Sequence, residues 1–138
     1  MPTATKLTTS DYERLLRVRT GLRRFLRWSE EQARSAGLTP AQHQLLLAVR
    51  GHPQPEPPTI GEVAGHLLLQ HNGAVQLVDR AEAAGLVRRE RDAGDHRIVR
   101  VRLTPEGERH LASLAARHLD ELRRLGPSFA QIAAEIPG

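Results

Sequence analysis

Residues Thr59 to Thr104 read TIGEVAGHLLLQHNGAVQLVDRAEAAGLVRRERDAGDHRIVRVRLT, and the change of period within this stretch decides the fold. Thr59-Ile60-Gly61-Glu62 fits a capping box, in which a hydroxyl accepts from the amide three residues on while the acid reaches back. A short helix, Ile60 to Leu67, follows, and after a turn a second runs from about Asn72 to Ala84. Gly85 supplies a left-handed cap that lets Leu86 fold back on the helix end. The helical period then gives way to alternation. Val87 to Arg91 and Ile98 to Leu103 read as two strands, joined through the turn residues Asp92-Ala93-Gly94-Asp95 into a hairpin.

Further helix starts flank this stretch. Ser10-Asp11-Tyr12-Glu13 and Thr39-Pro40-Ala41-Gln42 fit the same box, and Thr39-Pro40 and Thr104-Pro105 place proline at the first helical position. A first helix is predicted from Asp11 to Ala36, ending at Gly37, with Leu15, Val18, Leu22 and Phe25 at three- and four-residue spacing. A second runs from Pro40 to about Arg50 through Leu45-Leu46-Leu47. His52 to Pro58 holds too many prolines for a helix and reads as a stiff connector. A long helix follows from Pro105 to about Leu125, with Leu111, Leu114, Ala115, His118, Leu122 and Leu125 on one stripe. Gly126-Pro127 reads as a break before a short amphipathic segment, Phe129 to Ile136. The fold class is mainly α with a small β-hairpin wing. One domain, 1–138, holds a winged helix-turn-helix lobe at 39–104 between long dimerisation helices at 8–37 and 105–138.

Composition bounds the function. With 138 residues, 39% hydrophobic and 26% charged, the chain can bury a core and is not disordered by composition. Formal net charge is +4, and Lys6 is the one lysine among 20 basic residues. Codon bias in a GC-rich genome accounts for part of that ratio, so the placement of the arginines carries more information than their number. The absence of cysteine excludes disulfides, cysteine-ligated zinc and a thiol switch. No apolar run follows Met1 to Lys6, and no stretch approaches the roughly 18 apolar residues of a membrane span, which implies a soluble, cytoplasmic protein. Neither a Gly-rich phosphate loop, a nucleophile elbow nor a paired His-carboxylate motif is present, so the reading is of a non-enzyme without cofactor.

Two helices, a tight turn and a basic hairpin outline a winged helix, whose second helix enters the DNA major groove while the hairpin reaches the flanking backbone or minor groove. At the start of that helix, His71, Asn72, Gly73, Ala74 and Gln76 are small or polar, which suits close approach to base edges. Val75, Leu77 and Val78 are expected to anchor its other side, and Gly73 also fits a frayed terminus. Arg80 lies further along, in reach of phosphate or base, or of an intrahelical partner in Asp79 or Glu82. Arg89, Arg91 and His96 belong to the basic wing. In Asp95-His96-Arg97 the acid can hold the guanidinium at the hairpin tip by hydrogen bonds, aiming it at a narrow minor groove or simply stabilising the turn. The helix starts at Thr39 and Thr59 are candidate phosphate contacts.

Leu38-Thr39-Pro40-Ala41-Gln42, Thr59-Ile60-Gly61-Glu62-Val63-Ala64, Val78-Asp79-Arg80-Ala81-Glu82-Ala83-Ala84-Gly85-Leu86-Val87-Arg88-Arg89, Asp95-His96-Arg97 and Val101-Arg102-Leu103-Thr104-Pro105-Glu106-Gly107 come in an order and spacing that resembles the MarR family. The resemblance implies a homodimer with intertwined first and last helices, and two winged lobes placed on palindromic double-stranded DNA, usually as a repressor. It makes Asn72 to Gln76 and Arg80 recognition positions and Arg97 the wing arginine oriented by Asp95. The family usually has Leu where Ala81 stands and commonly Arg where His96 stands. It also implies release by a small aromatic or phenolic ligand. Phe25, Trp28 and His43 are candidates to line that pocket, or else pack in the core. A histidine-based metal sensor using His43, His66, His110 and His118, and a winged helix serving protein contacts alone, are the alternatives.

Overall fold

The computed structural model describes residues 6–137; Met1 to Thr5 and Gly138 lie outside the described residues, and with them the reading of the N-terminus and the outer ends of the 1–138 domain. In chain order the elements are α1 (Thr9–Ser35), α2 (Pro40–Arg50), α3 (Ile60–Leu67), α4 (His71–Ala83), β1 (Val87–Arg91), β2 (Val99–Leu103) and α5 (Pro105–Ala134). Among the described residues no helix is long and apolar enough to cross a membrane.

Side-chain chemistry sets the helix starts. Thr39 and Thr59 accept from the amides of Gln42 and Glu62, each at 3.1 Å, and both boxes are closed by the reciprocal bond. The first helix corrects the expectation at Ser10. Its box is Thr8 with Asp11: the Thr8 amide donates to the Asp11 carboxylate at 2.8 Å, and the Asp11 amide to the Thr8 hydroxyl at 3.3 Å. The earlier box extends the helix at no loss of hydrogen bonds, so Ser10 sits inside the first turn.

Left-handed residues set the ends. Gly37 and Gly85 have φ of 82° and 77°, and the Leu38 and Leu86 amides turn back to the Ala33 and Ala81 carbonyls at 3.0 Å. This delivers Leu38 and Leu86 into the core. The end of α3 closes the same way, Leu69 N–H to Ala64 C=O at 2.9 Å, but with Leu68 at φ 54°. A β-carbon is strained there by roughly 1–2 kcal/mol, and Leu68 is 92% exposed, so burial returns nothing. Leu68→Gly is therefore expected to stabilise the fold by about 0.5–1 kcal/mol, the strain relieved less the extra freedom glycine gives the unfolded chain. Chemical denaturation checks it; an unchanged or lowered midpoint would contradict the strain.

The core joins both parts of the chain. Leu45, Leu46 and Val49 of α2 meet Val63 of α3, Val78 and Ala81 of α4, Val87 and Val101 of the hairpin, and Leu111 and Leu114 of α5. Ala81 is wholly buried. Leu47, the third leucine of the α2 block, is 55% exposed, because three consecutive helical residues cannot all face one side.

The break expected at Gly126-Pro127 is absent: α5 continues through Pro127 to Ala134. An internal proline costs about 3 kcal/mol, and packing of the last turns on α1 offsets it. Phe129 lies against Gly21, where a β-carbon would come within 2.9 Å of its ring. Ile132 is buried, and Glu135 reaches Arg17 at 2.5 Å and Arg14 at 3.6 Å. Those arginines hold the Glu135 carboxyl below its usual range, the Arg17 hydrogen bond first.

Candidate nucleic-acid interface

The two strands pair antiparallel, Val87 with Leu103, Arg89 with Val101 and Arg91 with Val99. Side chains alternate across a strand, so Arg89 shares the inward face of buried Val87 and points at α4. Its guanidinium meets Asp79 at 2.6 Å and Glu82 at 2.8 Å, and its amide donates to Glu82 at 2.9 Å. Arg89 is thus engaged in the joint between recognition helix and wing, rather than free-standing on the DNA-facing side. The signal was available: two residues beyond an inward valine, a strand residue faces inward again.

This joint decides the fate of Arg80. Asp79 and Glu82, its candidate intrahelical partners, are taken by Arg89, and Arg80 stands exposed without an ion pair among the described residues. Asn72, Gln76 and Arg80 follow one another at four-residue intervals on one exposed face of α4. His71 is exposed beside them and Gly73 half-buried. Ala74 does not belong to this face. It is fully buried and lies with Val78 and Ala81 on the side packed into the lobe, whereas Val75 is only half-buried. The core face of α4 is thus rotated by one residue from the expectation that began it at Val75.

The wing tip is built from two aspartates. Asp92 accepts from the Gly94 and Asp95 amides at 3.0 and 2.9 Å and from Arg100 Nε at 2.7 Å. Asp95 then accepts from the Arg97 amide at 3.0 Å and from its guanidinium at 3.0 and 2.9 Å. The fork is bidentate, yet the Arg97 side chain is 90% exposed. The Asp95 carboxyl is held below its usual range, chiefly by Arg97, and the Asp92 carboxyl likewise by Arg100. Both acids therefore stay ionised and hold their arginines at neutral pH. Arg91 donates to the His96 carbonyl at 2.8 Å, which shapes the tip from inside, and the His96 side chain is exposed.

Arg100 was not singled out as a site residue. It is only 16% exposed and donates to the Pro57 carbonyl at 2.8 Å and pairs with Glu56 at 3.1 Å. The proline-rich connector lies along β2, with the Val101 amide donating to the Pro58 carbonyl at 2.8 Å. Arg100 therefore braces the wing against the lobe.

The helix starts proposed as phosphate contacts are occupied by their own caps. At Thr59 the cap includes the Glu62 carboxylate, whose charge opposes a phosphate there; at Thr39 the reciprocal group is the neutral Gln42 amide.

Phe25, Trp28 and His43 do come together, but as packing. Trp28 and His43 lie 4.9 and 4.8 Å from the His118 ring, and Phe25 and Trp28 stack at 6.0 Å. His118 Nδ1–H donates to the Leu114 carbonyl at 2.7 Å, and its Nε2 lies 2.7 Å from the Ser29 hydroxyl. The cavity beside His43 measures about 20 Å³, room for about one water and far below the roughly 300 Å³ or more of a small-molecule pocket. Burial, then His118, pushes the His43 imidazole down, so it is neutral. The four histidines of the metal reading do not converge: His43 faces His118, His66 faces His52, and His110 faces Glu106. Among the described residues no group of three or more His, Asp or Glu is placed to hold a metal ion.

The MarR family signature matches residues 36–98, from the end of α1 to the wing. An uncharacterized HTH-type transcriptional regulator of Bacillus subtilis, YsmB, is 38% identical over 71 residues, which are 51% of this chain and 49% of that protein. The match thus spans about half the length of that curated relative. AbsC, a MarR family transcriptional regulator from Streptomyces coelicolor, superposes with a TM-score of 0.73 at 21% identity, over 88% of this chain and 81% of that one. CouR from Rhodococcus jostii, solved bound to p-coumaroyl-CoA, gives 0.71 at 28% identity, over 86% and 81%.

Proposed function

We propose that the chain is a winged helix-turn-helix transcriptional regulator of the MarR type, as the signature over residues 36–98 supports, and that it binds duplex DNA as a homodimer at palindromic operators and represses by occluding promoters. The observation that carries this reading is the division of the basic residues. Arg89 and Arg100 are consumed within the lobe, while Arg80 is left exposed on α4 and Arg97 is exposed but aimed by Asp95. A lobe that served protein contacts alone would have no need of a braced, outward guanidinium beside a polar helix face. Asn72, Gln76 and Arg80 read base edges, and Arg97 supplies affinity and groove-shape readout.

The dimer follows from apolar surface left on the long helices. Leu15, Leu16, Leu22 and Leu26 of α1 and Leu119 and Leu122 of α5 are each about half exposed or more. Rows of leucines at that exposure on two helices of one end call for a partner subunit. CouR was solved with an aromatic thioester bound; here an aromatic effector would enter by opening the packing of Phe25, Trp28 and His43 between α1, α2 and α5. Loss of that packing would shift the lobes relative to the dimer helices and release DNA.

Equilibrium binding to a selected duplex tests the reading. Affinity is expected to fall by about a thousandfold or more between roughly 50 and 200 mM salt if six or more phosphates are neutralised by the dimer, and the protein to sediment as a dimer. Salt-independent binding, or a monomer on DNA, would overturn it.

A further inference from the structure

We propose that His52 is a positioning residue for the recognition helix, and that the chain Glu62–His52–His66 holds α3 in place only while the two imidazoles share at most one extra proton. The inference rests on the DNA-binding reading for one of its two readouts. His52 follows Gly51 at the end of α2 and opens the connector, and its side chain is 6% exposed. Its Nε2 lies 3.2 Å from the Glu62 carboxylate, and its Nδ1 lies 2.9 Å from His66 Nε2. Glu62 and His66 stand four residues apart on one face of α3, in its first and last turns. A single ring therefore grips both ends of α3 and seats it on α2. Since α3 and the turn after it carry α4, the grip sets where Asn72, Gln76 and Arg80 point.

Hydrogen-bond roles fix the proton count. In the neutral pair, a proton on His52 Nε2 faces the Glu62 carboxylate at 3.2 Å, which leaves Nδ1 a lone pair to accept from His66 Nε2–H. One added proton is accommodated: His52 then donates from both nitrogens, His66 shifts its proton to Nδ1, and Glu62 balances the charge. Hydrogen bonds from the Thr59 amide and hydroxyl, with His52 and Arg100 nearby, hold the Glu62 carboxyl below its usual range, so it is ionised throughout. A second proton leaves two N–H donors and two cations facing each other at hydrogen-bond distance with no acceptor between them. His66, exposed, then swings into solvent and α3 loses its hold. The other charges around the ring are already paired: Arg50 of α2 with Glu108 of α5 at 3.3 Å, Glu56 of the connector with Arg100 of β2, and Arg102 with Glu90.

Histidines as a class change charge between pH 5 and 8, so the full-length protein is compared at pH 7.5 and 5.5 with His66→Gln. A glutamine amide can donate to His52 but does not titrate, and the exposed site tolerates it. Duplex affinity and Tm are both measured. At pH 7.5 the variant is expected within about twofold of the wild type. On acidification the wild type is expected to lose severalfold more affinity than the variant, with a parallel extra fall in Tm. His71 and His96 are the same in both proteins, so their contribution cancels in the ratio. Superimposable pH profiles in affinity and in Tm would overturn the proposal. Absence of duplex binding by either protein at pH 7.5 would overturn the DNA-binding reading instead, and the Tm profiles then decide the latch alone.

Discussion

Gly107→Ala is expected to destabilise the fold by at least about 2 kcal/mol, the range of overpacking in a filled core. A β-carbon at Gly107 would lie 2.1 Å from the Leu86 carbonyl oxygen, a backbone atom that cannot rotate away. That oxygen already accepts from the Thr104 amide at 3.1 Å, and the Thr104 hydroxyl donates to Gly85 at 2.6 Å. Relief requires α5 to lift from the turn that ends α4, which would pull Leu111 and Leu114 from the core. Alanine's better helix propensity, worth about 1 kcal/mol, does not offset this. Gly65, in α3 with nothing within 4 Å of its would-be β-carbon, is the control, and Gly65→Ala is expected to stabilise slightly. Urea denaturation of both variants checks the contrast. A Gly107→Ala protein as stable as the wild type would show that α5 is not clamped to Leu86.

Arg97→Ala is expected to weaken binding to the cognate duplex about ten- to hundredfold while leaving the unfolding midpoint nearly unchanged. The side chain is 90% exposed, and its structural bonds go to Asp95 alone. Deleting it costs the fold little, because Asp95 can turn to water. On DNA, the loss removes the wing-tip guanidinium that Asp95 aims outward. Asp95→Ala separates aim from charge: the arginine remains, and a smaller loss of affinity is expected from its freed rotamers. Anisotropy titrations of the three proteins on one duplex measure this. Equal affinity of Arg97→Ala and wild type would place the wing away from DNA.

The lobe was legible because each boundary is written in local chemistry. Thr39, Thr59 and Thr104 cap their helices, and Gly37 and Gly85 end theirs in the left-handed region. Long-range packing was not legible. Pro127 signals a break by every local rule, yet Phe129 on Gly21 and Glu135 on Arg17 carry α5 past it. Thr8 and Ser10 both fit a capping box, and only the two further helical residues gained distinguish them. In the site, Arg97 with Asp95 could be read because the partners are two residues apart. The Arg89 ion pairs are harder to read, because Asp79 and Glu82 lie on another element and only the strand alternation after Val87 points to them. Ala74 was placed on the DNA face because a small residue at a helix start suits both faces, and the helix rotation was set by Val78 and Ala81.

Sequencing the duplexes that the purified full-length protein selects from random DNA tests the central claim most directly. The account predicts a palindrome whose half-sites lie about one helical turn, roughly 10–10.5 base pairs, apart from centre to centre, with Arg97→Ala selecting less sharply at the positions flanking each half-site. Recovery of no enriched sequence, or of a single unpaired site, would contradict it.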